Sequence, residues 1–137
     1  MILRSAVRDL GVETIITSRI EHHAVLHTAE ELAMEYGTRV QYIDLDPFGH
    51  PDPAHLKALL SKDGSKKLVS LMHINNEIGN ILDIATVSAL CREYGSLFHS
   101  DTVQSIGHYK WDVQEAGADF LTAAAHKFHG PKGVGFA

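Results

Sequence analysis

Four short stretches hold the residue types that do chemistry. TAAAHKFHGPKGVGFA (Thr122–Ala137) sets Lys127 behind three alanines and ahead of a Gly-Pro-Lys-Gly turn. HSDTVQ (His99–Gln104) holds Asp101 and Gln104, HINNE (His73–Glu77) holds Asn76, and EHH (Glu21–His23) holds His22. A lysine amine attacks carbonyl carbon once burial or cationic neighbours lower its pKa. A lysine together with a buried acid is what a pyridoxal phosphate site requires. The amine forms a Schiff base with the aldehyde, and the carboxylate keeps the pyridine nitrogen protonated so that the ring accepts electrons. There is no G-x-G-x-x-G, no G-x-x-x-x-G-K-[ST] and no G-x-S-x-G, so a Rossmann dinucleotide site, a P-loop and a nucleophile elbow get no support.

Something must bring these stretches together, and the segments between them alternate in type. VETIITS (Val12–Ser18), RVQYID (Arg39–Asp44), KLVSLMH (Lys67–His73), SLFHSD (Ser96–Asp101) and ADFLTAAA (Ala118–Ala125) have the composition of strands. Between them, Val25, Leu26, Ala29, Leu32, Ala33 and Tyr36 recur at helical spacing, with Gly37 placed to end the helix. DPAHLKALLSKDG predicts a second helix, with Asp52 as N-cap, Pro53 at the first helical position and Leu56, Leu59 and Leu60 inward. Asp83 begins a third, with the stripe Ile84, Val87, Leu90, Cys91 and Tyr94 and a stop at Gly95. Trp111 and Val113 are expected to pack in the last connection. The alternation predicts an α/β fold, a largely parallel sheet with helices on both faces. In such sheets ligands bind beyond the carboxyl ends of the strands, and each chemical stretch falls at such an end.

The chain has 137 residues, enough for one domain at most. Met1–Leu10 reads as the last turns of an amphipathic helix, and GVGFA as a strand with nothing after it to cover it. The expectation is therefore part of a larger domain, incomplete at both ends. A net charge of −5 gives no general attraction to nucleic acid or to an anionic membrane. No apolar run nears the ~20 residues that span a bilayer. A single cysteine suits a reducing cytoplasm.

SRIEHHAV, HINNEIG, HSDTVQS and AHKFHGPKGVG resemble, in order and spacing, the cysteine desulfurases of the NifS and IscS type, which are class V aminotransferase-like enzymes of the type I pyridoxal phosphate fold. The resemblance implies the large, cofactor-binding domain of a homodimer, with the small C-terminal domain absent from this chain. It implies conversion of L-cysteine to L-alanine, with persulfide sulfur passed to an acceptor such as an iron–sulfur scaffold. By the same resemblance Lys127 is the Schiff-base lysine and His22 the imidazole that stacks on the cofactor ring and helps move protons. Asp101 pairs with the pyridine nitrogen, Gln104 bonds the phenolic oxygen, and Asn76 lies near that oxygen and the substrate carboxylate. His126 helps hold the phosphate. Where the family commonly has Ser-Gly-His-Lys, this chain has Ala124-Ala125-His126-Lys127, so the hydroxyl that usually bonds the phosphate is missing at Ala124; Thr122 or a backbone amide is the candidate substitute. Small side chains at Ala123, Ala124 and Ala125 are expected to leave room for a flat cofactor.

Blander roles compete. Lys127 alone would read as a surface lysine in a Gly-Pro loop, Asp101 as a helix cap, and Asn76 and Gln104 as loop residues satisfying backbone groups. His23 and His27, four apart, have a zinc-compatible spacing but no third ligand, so a solvated helix face is expected. His50, His55 and His108 are expected at the surface. Cys91 lies on an apolar stripe and is expected to be structural, because the family's sulfur-accepting cysteine follows the lysine on a mobile loop. Two rivals stay open: another class V enzyme such as a selenocysteine lyase or cystine lyase, and a non-catalytic dimerisation or binding fragment.

Overall fold

A computed structural model describes all 137 residues. Five strands alternate with helices in the expected order. The helices are α1 (Ile2–Arg8), α2 (His23–Tyr36), α3 (Pro53–Ser61), α4 (Ile84–Glu93) and the single turn α5 (Val113–Ala116). The strands are β1 (Thr14–Thr17), β2 (Arg39–Tyr42), β3 (Lys67–Ser70), β4 (Leu97–Asp101), β5 (Phe120–Ala124) and the short β6 (Gly135–Phe136). They form one sheet in the order β2-β1-β3-β4-β5-β6, parallel throughout except that β6 runs antiparallel to β5.

Strand periodicity divides the core in two, because successive side chains leave opposite faces. Ile15 and Leu68 meet Leu3, Ala6 and Val7 of α1 and Val25, Ala29 and Leu32 of α2. Ile16, Val69 and Phe98 point the other way, onto Leu56, Leu59 and Leu60 of α3 and Val87 and Cys91 of α4. Ile15, Ile16, Leu68, Val69 and Phe98 are fully buried, each worth roughly 1.5–3 kcal/mol in transfer from water. The runs are apolar without alternation because both faces are covered.

The helix starts follow their capping residues. Asp52 accepts the Ala54 N–H (2.8 Å) with Pro53 behind it, and Asp83 accepts the Thr86 N–H (3.1 Å) and the Thr86 hydroxyl (2.6 Å). Gly37 ends α2 in the left-handed region at φ 70°. Two packing expectations fail. Tyr36 is 48% exposed, because it is the last residue of α2 and sits on a solvent-open groove beside Gly11, Glu13 and Arg39. Val113 is 61% exposed, because the four-residue α5 turns only Ala116 inward. Trp111 does pack, edge to face on His73 with ring centres 4.7 Å apart.

Candidate functional site

The sheet order reverses at β1, which has β2 on one side and β3 on the other. The helices that follow β1 and β3 therefore cover opposite faces, and the region beyond the carboxyl ends of these strands is the usual place for a ligand in an open α/β sheet. A cleft of about 400 Å³ lies there and continues over β4 and β5. His22, Asn76, Asp101, Gln104, Ala124, His126 and Lys127 all line it, together with Ala24, Met72 and Val103. These seven residues, named from sequence, reach one cavity from four separate segments. A cleft of similar size, about 430 Å³, separates the 45–53 and 81–87 segments. Its carboxylates are already used as caps and turn acceptors, Asp46 for Phe48 and His50, Asp52 for Ala54 and Asp83 for Thr86.

His22 is the N-cap of α2. Its Nδ1 accepts the Ala24 N–H at 3.1 Å, which orients the ring; in the neutral tautomer the proton then sits on Nε2. Asp101 ends β4. One carboxylate oxygen accepts the Val103 N–H (3.0 Å) in a side-chain turn; no helix begins there, so Asp101 is not the helix cap foreseen for it, and it keeps its place in the cleft. Burial raises the Asp101 pKa, while the Val103 N–H and the nearby His22 ring pull it down. Lys127 is exposed on a 3-10 turn, Ala125–Phe128, that closes between β5 and β6. His108 Nε2 donates to the Lys127 carbonyl (2.8 Å), anchoring that turn to the loop after Asp101.

The alanine run works differently from the expectation. Only Ala124 lines the cleft. Ala123 and Ala125 are buried, since alternation on a strand sends neighbours to the other face. Gly130 folds back on Ala125 and has no space for a side chain: a Cβ at Gly130 would sit 2.7 Å from Ala125 Cβ and 2.9 Å from its carbonyl oxygen. Thr122 does not replace the missing hydroxyl. Its Oγ1 is bonded to His99 Nε2 (3.1 Å), and it does not line the cleft.

Two imidazoles expected at the rim are packing groups instead. His99 is inside β4, 2% exposed, between the Ser70 and Thr122 hydroxyls, and burial lowers its pKa to about 4. His73 is half-buried against Trp111 and Tyr109. His55 is partly buried rather than a free surface group, with Nδ1 accepting the Asp44 N–H at 2.9 Å. His23, His27, His50 and His108 are exposed, as expected, and no group of three or more metal-ligating side chains comes together. Cys91 is 2% exposed, and burial pushes its thiol up to about 12.

Three supporting residues escaped the sequence reading. Asn75, not Asn76, organises the loop after β3. Its Oδ1 accepts the Glu77 and Ile78 N–H groups (2.8 and 3.0 Å), and its Nδ2 donates to the Ile20 carbonyl (2.7 Å). Asn76 is exposed and donates to Glu77 Oε1. An adjacent Asn pair signals a side-chain turn but not which Asn makes it. Glu21 read only as a rim residue and His108 only as a surface one, because the Met72 and Lys127 groups they bind lie 51 and 19 residues away.

The residues fit pyridoxal phosphate. Asp101 is a partly desolvated carboxyl facing the cavity, complementary to a ring N–H. Ala24, Met72, Val103 and Ala124 give apolar walls for a flat ring, and the Lys127 amine and the His22 ring complete the lining.

The Aminotransferase class-V family model matches residues 2–137. The chain is 48% identical over 124 residues to a cysteine desulfurase IscS of Dictyoglomus turgidum, covering 88% of this chain and 30% of that relative. It is 48% identical over 121 residues to the cysteine desulfurase IscS of Pseudomonas putida strain W619, covering 88% of this chain and 29% of that relative. A solved NifS-like protein superimposes with TM-score 0.90 at 38% identity, covering 98% of this chain and 37% of that one. A NifS-like protein from Rickettsia africae does so at 0.81 and 33%, covering 90% and 33%. The chain thus spans about a third of the length of these relatives. With the parallel sheet, the crevice at β1 and β3 and the lysine-bearing turn after β5 all in place, the chain belongs to the class V aminotransferase family.

Proposed function

We propose that this chain is part of the large, cofactor-binding domain of a pyridoxal phosphate-dependent cysteine desulfurase. The enzyme converts L-cysteine to L-alanine and passes the sulfur, as persulfide, to an acceptor such as an iron–sulfur scaffold protein. It works as a cytoplasmic homodimer. The observation that carries this reading is the convergence of Lys127, Asp101 and His22 on one cleft. The family dependence on pyridoxal phosphate and the relatives named cysteine desulfurase support it.

When bound, pyridoxal phosphate supplies a ring that delocalises negative charge from the substrate α-carbon. Lys127 holds the cofactor through its amine, and Asp101 accepts the ring N–H. Gln104 and Asn76 would offer amides to the phenolic oxygen, the Asn76 amide leaving Glu77 to do so, and His126 would contribute to the phosphate side, without help from a hydroxyl at position 124. His22 would lie against the ring as a hydrogen-bond donor. Its Nδ1 is occupied by the Ala24 N–H and its Nε2 carries the proton, so the Lys127 amine, once the substrate amine had taken its place on the cofactor, would be the group to move the proton at the substrate α-carbon. Cys91 is not the sulfur acceptor: a thiol raised to about 12 and sealed in the core supplies no thiolate at neutral pH.

The test is the absorbance of the full-length protein with pyridoxal phosphate. A Schiff-base band is expected in wild type and absent in Lys127→Ala. Identical spectra would sink the assignment. Alanine and persulfide formation from L-cysteine by the loaded enzyme tests the reaction.

A further inference from the structure

Next to His22, Glu21 is buried to 6% exposure where sequence alone suggests a rim residue. Its Oε1 accepts two hydrogen bonds, from the Ser18 hydroxyl (2.9 Å) and from the Met72 N–H (3.0 Å). Its Oε2 is buried with no partner. An unpartnered oxygen is tolerable on a neutral acid and very costly on a carboxylate.

No cation offsets that cost. The charged and titratable groups sharing the two cavities beside Glu21 are Arg19, His22, His23, His50 and Glu77. The Arg19 guanidinium lies over the Tyr42 ring, 4.2 Å from its centre, and His50 is paired with Asp46. His22 points Nδ1 at Ala24, and His23 stands beside His27 on the exposed face of α2. Asp101, on β4, adds a like charge. Burial accordingly raises the acid to about 8.

The bonds of Glu21 join two loops at the point where the sheet order reverses. Asn75 adds a second tie between the same loops through the Ile20 carbonyl. Residues 18–21 are thus clamped to residues 72–75, and His22 and Met72, the next side chains along, both line the cleft.

We propose that Glu21 is a positioning residue carried as the neutral acid, holding the His22 loop against the end of β3 so that His22 and Met72 form one wall of the cofactor cleft. The purpose of that wall rests on the pyridoxal phosphate reading above; the protonation state does not.

Full-length protein labelled with ¹⁵N-methionine reports both halves. The Met72 amide resonance is expected to titrate with a midpoint near 8 in wild type and to stay flat in Glu21→Gln, which keeps the acceptor oxygen without the charge. Cofactor affinity at pH 7 is expected to be within about twofold of wild type for Glu21→Gln and about tenfold weaker for Glu21→Ala, the size of one unsatisfied buried amide donor. Should Glu21→Ala not fold, the alkaline limb decides. Wild type then loses affinity above pH 8 while Glu21→Gln holds it. A Met72 amide without a step near 8, or with the same step in Glu21→Gln, overturns the neutral acid. Wild-type affinity in Glu21→Ala, or parallel alkaline limbs, overturns the positioning role. A wild type that forms no cofactor band defeats the cofactor reading and the positioning role with it, while the Met72 titration still decides the protonation state.

Discussion

At the residue scale, Asp101 and Cys91 show how burial assigns roles. Both carry groups that ionise, and desolvation raises both pKa values. Asp101 opens onto the cleft and finds a backbone N–H, so it can serve a cationic ring nitrogen. Removing such a preorganised charge partner typically costs on the order of 10²–10³ in rate. Asp101→Asn is expected to lower turnover by about that much while leaving the Lys127-dependent band detectable, which steady-state kinetics and absorbance check together. Cys91 has no opening. Cys91→Ala is expected to leave turnover unchanged, to cost about 1 kcal/mol of stability for the lost sulfur in the core, and to abolish no alkylation at pH 8, since the native thiol is protonated there. Denaturant melts and thiol labelling measure both.

At the element scale, the 3-10 turn bearing Lys127 is held by contacts that leave no room for larger side chains. Gly107, at φ +85°, faces Phe128, and a Cβ there would lie 2.5 Å from Phe128 Cβ. Gly107→Ala combines a left-handed backbone with that overlap. It is expected to destabilise by about 1–3 kcal/mol and to weaken cofactor binding through displacement of Lys127, measured by thermal melts and cofactor titration. His108→Ala removes the donor to the Lys127 carbonyl and is expected to weaken cofactor binding several-fold with little loss of global stability, because His108 itself is exposed. Neither residue belongs to a motif visible in the chain. Strand and helix types were legible because periodicity and caps such as Asp52 and Asp83 are local; Tyr36 and Val113 were misplaced because burial at a helix end depends on what lies over it.

At the scale of the whole molecule, two buried groups set opposite pH dependences. His99 is held neutral, with its pKa lowered to about 4 from 6.5. The unfolded chain binds the extra proton between those values, so stability rises with pH across that window. Glu21 is held protonated, raised from 4.5 to about 8. Here the folded chain binds the extra proton, so stability falls as pH rises from 4.5 to 8. The two slopes oppose each other up to about pH 6.5, and Glu21 acts alone above it. Stability of the wild type is expected to decline from pH 6.5 to 8 by at most about 1.4 kcal/mol per unit, and the decline is expected to vanish in Glu21→Gln. Denaturation midpoints across pH 5–8 check this.

The order of strands and helices, the caps at Asp52 and Asp83, the family and seven of the ten residues lining the cleft were all present in the sequence, because each is written in local spacing or in a contiguous motif. Only the tertiary structure decided that Ala124 alone of three alanines faces the cleft, that Thr122 is taken by His99, that Asn75 rather than Asn76 shapes its loop, and that Glu21 is buried while its neighbour His22 is exposed. Each of these depends on a partner brought close by the parallel sheet from tens of residues away, or on a face chosen by strand pairing. Burial and hydrogen bonding are properties of that pairing, and no local pattern encodes them.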